Sequence, residues 1–158
     1  DASHQNIRAR TAGSLFVILN QMEVLRPEWK TRLRNARETL DSFPALLAAE
    51  ADGFRDLFSD ITAEQLMVYF VFTYFCGAVY SENAYGKIKF SFACTILIRE
   101  LVRAGWLLDP EKTFSADVIS IAQKFSREIE HSDFNKYRME KMLDDEKRFG
   151  LEKMFSLL

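Results

Sequence analysis

The side chains best suited to chemistry lie together in one short segment, Phe125–His131, near the C-terminal end. Four of them are reactive types: Ser126, Arg127, Glu130 and His131. A partly desolvated Glu130 with His131 beside it could line a pocket and transfer a proton. The same residue types also serve structure, so chemistry and bracing of the fold both stand as interpretations.

The structural interpretation assigns each side chain a local partner. Glu130 would anchor a neighbouring helix through Arg99 or Arg103, and Ser126 would hydrogen-bond back to its own helix. His131 would suit the negative end of a helix dipole. We expect these structural roles to outweigh functional ones at all four positions.

The helix that leads into this segment is amphipathic, and it decides which of the four side chains face inward. Its apolar arc consists of Val118, Ile119, Ile121, Ala122, Phe125 and Ile129. Ser126 falls inside this arc and Glu130 lies at its edge, so both should be partly buried. Arg127 and His131 should face solvent.

Composition bounds the class of protein. The 158 residues carry a formal net charge of −2, which gives no general attraction to nucleic acid or to anionic membranes. Cys76 and Cys94 both lie inside apolar runs, which predicts reduced core thiols in a cytoplasmic protein. No secretory leader is visible, and we expect the chain to be part of a longer polypeptide.

Turn signals divide residues 1–158 into about seven or eight helices, so the predicted fold class is all-α, a single helical bundle in one domain. The predicted features are a helix at Gln5–Glu23, starts at Pro27 and at Asp41-Ser42, a capping box at Thr62 and Gln65, helices at Leu66–Tyr80 and Ala84–Ala104, stops at Gly105 and Asp109-Pro110, an N-cap at Ser115, a helix end at His131-Ser132, and a polar helix at Asp133–Lys147.

Two apolar helices in succession predict a central antiparallel hairpin. Leu66–Tyr80 contains no charged residue, but it is shorter than the ~20 residues that cross a bilayer. We therefore predict a buried core helix rather than a membrane span. Ala84–Ala104 would be its partner at the centre of the bundle.

One predicted helix is strongly basic on one face, and the sequence contains no known cofactor or metal motif. The basic residues are Arg26, Lys30, Arg32, Arg34 and Arg37, and the apolar stripe consists of Trp29, Leu33, Ala36 and Leu40. A solvated face is the expected role, and docking of an acidic partner, weakened by salt, is the alternative. No phosphate loop, metal-ligand motif or dinucleotide fingerprint is present, so no cofactor or metal is evident.

Three segments in order carry a resemblance to a known family. They are Leu66-Met67-Val68-Tyr69-Phe70-Val71-Phe72, Lys89-Phe90-Ser91-Phe92-Ala93 leading into Leu97-Ile98-Arg99, and Gln123-Lys124-Phe125-Ser126-Arg127-Glu128-Ile129-Glu130-His131. This order resembles the C-terminal half of bacterial flagellin lysine-N-methylase-like proteins, and the sharpest part is Phe125-Ser126-Arg127 followed by Glu130-His131.

The resemblance implies a parent protein that methylates lysine side chains, with flagellin as the substrate and S-adenosylmethionine as the methyl donor. It also implies a cysteine-rich N-terminal region that holds a metal or iron–sulfur centre and is a partner of this domain. Cys76 and Cys94 do not have the spacing of such a cluster. We therefore expect this segment alone to be inactive, with homo-oligomerisation left open.

A different class of function is the main alternative. An aromatic-rich helical bundle could be the ligand-binding and dimerising regulatory domain of a transcription factor. That interpretation predicts a large dry pocket lined by Tyr69, Phe72 and Phe92, together with a two-helix dimer face.

Overall fold

A computed structural model describes residues 2–42 and 52–157 of the chain, and the side chains of residues 10–42 and 53–157. These residues form helices and connecting turns without any strand, which confirms the predicted all-α class. The helices are α1 (Ala2–Asn20), α2 (Pro27–Ser42), α3 (Asp52–Leu57), α4 (Asp60–Tyr74), α5 (Ala78–Ser81), α6 (Ala84–Leu108), α7 (Ser115–Phe125), α8 (Asp133–Leu143), α9 (Glu146–Phe149) and α10 (Leu151–Phe155).

Helix α6 is the centre of the fold. Every residue from Lys89 to Ala104 is buried, and α1, α2, α4, α7, α8 and α10 all contact this helix. It runs beyond the predicted stop at Gly105, because one glycine weakens a helix interior without ending it. The helix ends at Leu108, where the Asp109 N–H donates to the Gly105 carbonyl at 3.2 Å.

The buried charges of α6 have partners. Lys89 donates to Glu146 Oε1 at 2.6 Å, and Arg103 lies 3.2 Å from Glu100 Oε1. Arg99 donates to the Leu157 carbonyl near the C-terminal end. Because a buried charge without a partner costs several kcal/mol, these contacts allow a charged helix to occupy the core.

Helix α4 begins at Asp60, two residues before the predicted capping box. The N-cap is Ser59, whose hydroxyl accepts the Thr62 N–H at 3.2 Å. The prediction that Thr62 caps the helix is therefore wrong. Ser59 was missed because Thr62 and Gln65 have the spacing of a capping box, whereas the residue three positions after Ser59 is Thr62 and not a glutamate or glutamine.

The prediction that Leu66–Tyr80 is a buried core helix is also wrong. Within α4 only Phe70 is buried, whereas Phe72 is 80 % and Tyr80 is 92 % exposed. The continuous stretch Asp60–Ser81 has the length and apolar composition to cross a membrane, and 11 % of its apolar 18-residue window is buried inside the protein. Helix α4 therefore packs on the surface of α6 and does not share the centre of the bundle with it.

Several other boundaries differ from the prediction. Helix α7 is capped at Phe114, whose N–H donates to Asp117 Oδ2 at 2.8 Å, and Ser115 is its first residue. The predicted helix Asp133–Lys147 is two helices, because Asp145 caps a separate α9. Asp41 and Ser42 belong to the end of α2, and the helix predicted after them lies outside the described residues.

The two cysteines have opposite environments. Cys94 is buried in α6, as predicted, but Cys76 is exposed in the 3-10 turn at Phe75–Gly77. The prediction that Cys76 is a core thiol is wrong, and so is the prediction that α4 is buried. Both rested on the apolar run that contains them. An apolar sequence run does not by itself show which of its residues the fold covers.

Candidate functional site

The candidate site is built on an unusual helical turn. After α7 ends at Phe125, Ser126–Glu130 form a π-helical turn, in which the His131 N–H donates to the Ser126 carbonyl at 3.2 Å. Such turns are rare and are frequently found at functional sites. The wider turn places Glu128 and Ile129 inside the protein and Glu130 beside α4.

Phe125 fixes the start of this turn. It is fully buried, and its ring makes edge-on contacts with Trp29 at 6.3 Å and Phe70 at 6.4 Å between ring centroids. These contacts join α7 to α2 and α4. Since edge-to-face aromatic pairs add to the energy of burial, Phe125 holds the π turn in a defined position.

A buried polar network holds the middle of the turn. Glu128 is 2 % exposed, and its Oε2 accepts the Leu25 N–H at 2.8 Å. The side chain of Asn135 donates to the Glu128 and Glu23 carbonyls at 2.8 and 2.9 Å and accepts the Glu23 N–H at 2.8 Å. The loop between α1 and α2 is therefore fastened to the π turn and to α8.

Glu130, the carboxylate singled out in the sequence, is held by two tyrosines of α4. Glu130 Oε2 accepts the Tyr74 O–H at 2.7 Å and the Tyr69 O–H at 3.1 Å. Within the described residues no hydrogen bond or ion pair engages Oε1. The carboxylate thus uses one oxygen to brace α4 and keeps an acceptor for another group.

The electrostatics keep both tyrosines as donors. Burial first, and then the adjacent Glu130 carboxylate, raises the pKa of Tyr74 far above that of a free tyrosine. The same two causes, burial and then the Glu130 charge, raise the pKa of Tyr69. Both hydroxyls therefore stay protonated at neutral pH and stabilise the negative charge of Glu130.

A cavity of about 360 Å³ opens beside Glu130, and it brings the four predicted side chains together. Its lining consists of Leu66, Tyr69, Phe70, Ile98, Ala122, Gln123, Ser126, Arg127, Glu130 and His131. Apolar side chains from α4, α6 and α7 thus form walls around a carboxylate and an imidazole. Such a combination of apolar walls and few polar groups is typical of a ligand site.

The expected exposures of the four residues are confirmed. Ser126 and Glu130 are half-buried, and Arg127 and His131 are exposed. The expected partner of Glu130 is wrong, because Glu130 accepts from Tyr69 and Tyr74, whereas Arg99 donates to the Leu157 carbonyl and Arg103 pairs with Glu100. The expected back-bond of Ser126 is also absent, since no hydrogen bond in the described part of the chain engages its hydroxyl.

Three residues of this site, Tyr74, Glu128 and Asn135, were not recognised in the sequence, and Tyr69 was named only as a wall of the alternative ligand pocket. Tyr69 and Tyr74 resemble ordinary core aromatics, and their hydroxyls gain importance only because Glu130 lies opposite them. Glu128 and Asn135 bond mainly to backbone groups more than 100 residues earlier in the chain. The one available signal was the position of Asn135 three residues after the N-cap Ser132.

A second, larger cavity of about 530 Å³ lies between α2, α6 and the π turn. Four cations line it: Arg26, Arg32, Lys124 and Arg127. The basic residues in and next to α2 therefore do not all lie on an open solvated face, as was expected. Arg26 and Arg32 border a concave surface instead.

Neither cavity matches the one predicted for a ligand-sensing transcription factor. Tyr69 lines the smaller cavity, but Phe72 is largely exposed and Phe92 packs against Phe155 with ring centroids 4.5 Å apart. The three rings do not meet. No observation on the described residues supports that alternative.

The described part of the chain offers no visible site for a metal ion. Among the described residues, no group of three or more histidine, cysteine, aspartate or glutamate side chains could hold a metal ion. Cys76 and Cys94 are both free thiols, one exposed and one buried. A metal or iron–sulfur centre does not fit the residues present here.

Comparison with known proteins supplies the family. A search of curated proteins found no match, and a search of solved structures found none. A family model described as the FliB lysine N-methylase C-terminal domain matches residues 3–157, which is nearly the whole chain. With Glu130, its two tyrosines and the π turn inside the matched region, the chain belongs to the FliB lysine N-methylase C-terminal domain family.

Proposed function

We propose that this domain holds the substrate lysine for methylation, with the free oxygen of Glu130 binding the side-chain nitrogen. The observation that carries the proposal is the divided role of this carboxylate. Two tyrosines fix Oε2 at 2.7 and 3.1 Å, and Oε1 remains available. A carboxylate held in this way is ordered before an ammonium group arrives, which lowers the cost of binding.

The cavity suits the rest of a lysine side chain. Leu66, Phe70 and Ile98 offer apolar contacts for the four methylene groups, and the Tyr69 ring offers a face for the cation. The cavity volume of about 360 Å³ accommodates one side chain rather than a large cofactor. Together these walls would orient the amine at the carboxylate.

Methyl transfer needs the unprotonated amine, because its lone pair forms the new N–C bond. The exposed imidazole of His131 lines the same cavity and is a candidate to accept the proton. Glu130 would then orient the amine and His131 would relay its proton to solvent. Ser126 and Arg127 border the cavity, where they would contact the polypeptide that carries the lysine.

The methyl donor is assigned to another part of the methylase. A donor such as S-adenosylmethionine supplies an electrophilic methyl group on a positively charged sulfonium. The larger cavity carries four cationic side chains, which oppose such a ligand.

We also propose that the exposed apolar face of α4 and α5 contacts the cysteine-rich N-terminal part of the methylase. The face includes Val68, Phe72, Phe75, Val79 and Tyr80, all more than a third exposed. It is continuous with Tyr69, so a catalytic region seated on it would adjoin the Glu130 cavity. We further propose flagellin as the substrate and a cytoplasmic location, both of which membership of this family favours, and we propose that residues 1–158 act as one domain.

The test is methylation of a lysine-containing protein by the full methylase that carries this domain. Glu130→Gln keeps an acceptor for both tyrosines but removes the charge, so kcat/KM should fall by at least about tenfold, the size of a lost charged hydrogen bond. Glu64→Gln, an exposed carboxylate on α4, should change it less than about twofold.

The thermal stability of both variants is the control for folding. Glu130→Gln should unfold within a few degrees of the parent, because its hydrogen bonds are retained. Unchanged methylation by a folded Glu130→Gln variant would overturn the proposal. A variant that loses stability and activity in parallel would assign Glu130 to bracing alone.

A further inference from the structure

The larger cavity has a chemistry that the proposed lysine site does not use. Its floor is apolar and is made by Trp29 and Ala36 of α2 with Leu101 and Ala104 of α6. With a volume of about 530 Å³, it falls within the range of ligand-binding clefts. An occupant would therefore bury an apolar group against this floor.

Basic side chains surround that floor. Arg26 lies just before α2, Arg32 within α2, Lys124 in α7 and Arg127 in the π turn, and within the described residues none of the four side chains has a hydrogen bond or an ion pair. Two acidic residues are also present, Glu28 and Glu128. Four cations against two carboxylates leave the cavity with an excess of positive charge.

The shape argues for an elongated occupant. The cavity follows α2 from Arg26 to Ala36, which corresponds to about 15 Å at the helical rise of 1.5 Å per residue. Arg26 and Arg32 are six residues apart and therefore about 9 Å apart along the axis. A single phosphate would require cations that converge on one point, whereas spaced cations suit carboxylates spread along a chain.

Small residues leave room for a backbone. Ala36, Ala104 and Gly105 lie along the cavity, and a β-carbon added at Gly105 would contact nothing within 4 Å. A segment could therefore approach α6 closely at this point. This is the same kind of close approach that small residues allow between packed helices.

We propose that this cavity is a docking groove for an acidic peptide segment, in which one apolar side chain occupies the floor and carboxylates on either side pair with the four cations. The groove is separate from the Glu130 cavity, although Arg127 borders both. It would add a recognition site for a partner or substrate segment and does not depend on lysine binding at Glu130.

The probe is a short fluorescein-labelled peptide with one leucine flanked on each side by two glutamates, titrated with the 158-residue protein by fluorescence anisotropy. Two control peptides replace the glutamates with glutamine or the leucine with serine. Both should bind more weakly, and binding of the parent peptide should weaken by roughly tenfold when salt rises to about 0.5 M.

Matched charge variants locate the site. Arg32→Gln combined with Lys124→Gln should weaken binding by about fivefold or more, as expected for two lost charge contacts. Lys30→Gln combined with Arg34→Gln removes the same charge from exposed positions of α2 outside the groove, and it should change affinity less than twofold. Equal loss in both double variants would overturn the proposal, since it would mean general charge attraction.

A variant that blocks the groove without changing any charge gives an independent test of where the peptide binds. Gly105→Leu adds bulk where a β-carbon has no contact, and it replaces glycine in a helix, so the fold should be retained. It should abolish binding by filling the groove. Retained binding in a folded Gly105→Leu protein, or preference for inorganic phosphate over the peptide in competition, would overturn the proposal.

Discussion

Helices α4 and α6 contact each other, yet they reverse the usual relation between polarity and burial. Helix α6 carries five charged residues and forms the core, whereas α4 carries two and lies mostly exposed. The charged residues of α6 are tolerated because partners from other helices, including Glu146 and the Leu157 carbonyl, meet them inside. Burial therefore depends on how many neighbours surround a helix and not on its hydrophobicity alone.

The largest expected difference comes from one substitution made in both helices. Phe90→Ala in α6 removes a fully buried ring and should cost about 3–5 kcal/mol. Phe72→Ala in α4 removes a ring that is 80 % exposed and should cost less than about 0.5 kcal/mol. Urea unfolding of the two variants measures the contrast. A large cost at Phe72 would mean that α4 is covered in solution, for instance by a second copy of the chain.

A smaller effect is expected where α4 touches the polar site. Tyr74→Phe removes a hydrogen bond to the Glu130 carboxylate and should cost about 1.5–3 kcal/mol at neutral pH, as for other hydrogen bonds to charged groups. Tyr80→Phe, on the exposed face of α5, serves as the matched control and should be neutral. Equal unfolding midpoints for the two variants would mean that Tyr74 does not anchor α4.

The free energy of unfolding at alkaline pH tests the contact between Tyr74 of α4 and Glu130. The pKa of Tyr74 is raised in the folded protein, so its stabilisation is complete below the pKa of an unfolded tyrosine, about 10. It is lost above that pH, because only the unfolded chain then releases the proton. The free energy of unfolding should fall less steeply above pH 10 in Tyr74→Phe than in the parent.

The free energy of unfolding at acid pH tests the pairing of the buried Lys89 of α6 with Glu146. The hydrogen bond from Lys89, first among the causes, lowers the pKa of Glu146 in the folded protein. Its stabilisation is present above the pKa of an unfolded glutamate, about 4.3, and is lost as the pH falls through the lower folded value. In Glu146→Gln, the free energy of unfolding should fall less steeply below about pH 4.5 than it does in the parent. Glu152→Gln, an exposed carboxylate of α10, should leave that loss unchanged.

The smallest change in stability is expected at the cysteines. Burial, and then the charges of Glu130 and Glu140, raises the pKa of Cys94 well above that of a free thiol. Cys94 should therefore resist a thiol reagent in the native protein, whereas the exposed Cys76 should react rapidly. Cys76→Ala should remove the fast reaction with little effect on unfolding. A second fast thiol in the native protein would contradict the buried position of Cys94.

Much of the fold could be predicted from the sequence, since apolar periodicity marks helices wherever a face is buried. The amphipathic α2 and α7 show this, as do the buried Trp29, Leu33 and Phe125. The exposure of α4 could not be predicted, because an apolar run has no periodicity that distinguishes a covered face from an open one. The capping residue Ser59 was missed because Thr62 and Gln65 satisfy the capping-box pattern, whereas Ser59 does not.

The candidate site was predicted in part. Local composition indicated Glu130 and His131, and the amphipathic arc gave their degree of burial. Local composition could not indicate the roles of Tyr69, Tyr74, Glu128 and Asn135 in the site. Their hydrogen-bond partners lie 56 to 112 residues away in the chain. The one nearby partner is the Glu128 carbonyl, which accepts a hydrogen bond from Asn135. The π turn is likewise set by these distant contacts, since no residue in Ser126–Glu130 is unusual in an ordinary helix.

The fastening of the α1–α2 loop by Asn135 also has a consequence for how the chain is made. The bonds from Glu23 to Asn135 close a loop of 112 residues, so the loop cannot acquire its native geometry until α8 exists. At a synthesis rate of about 5–20 residues per second, the first two helices would wait roughly 5–20 seconds for their partner. For the part of that interval before α6 is made, the apolar stripe of α2 lacks its main partner, which makes the nascent N-terminal half a natural client for chaperones.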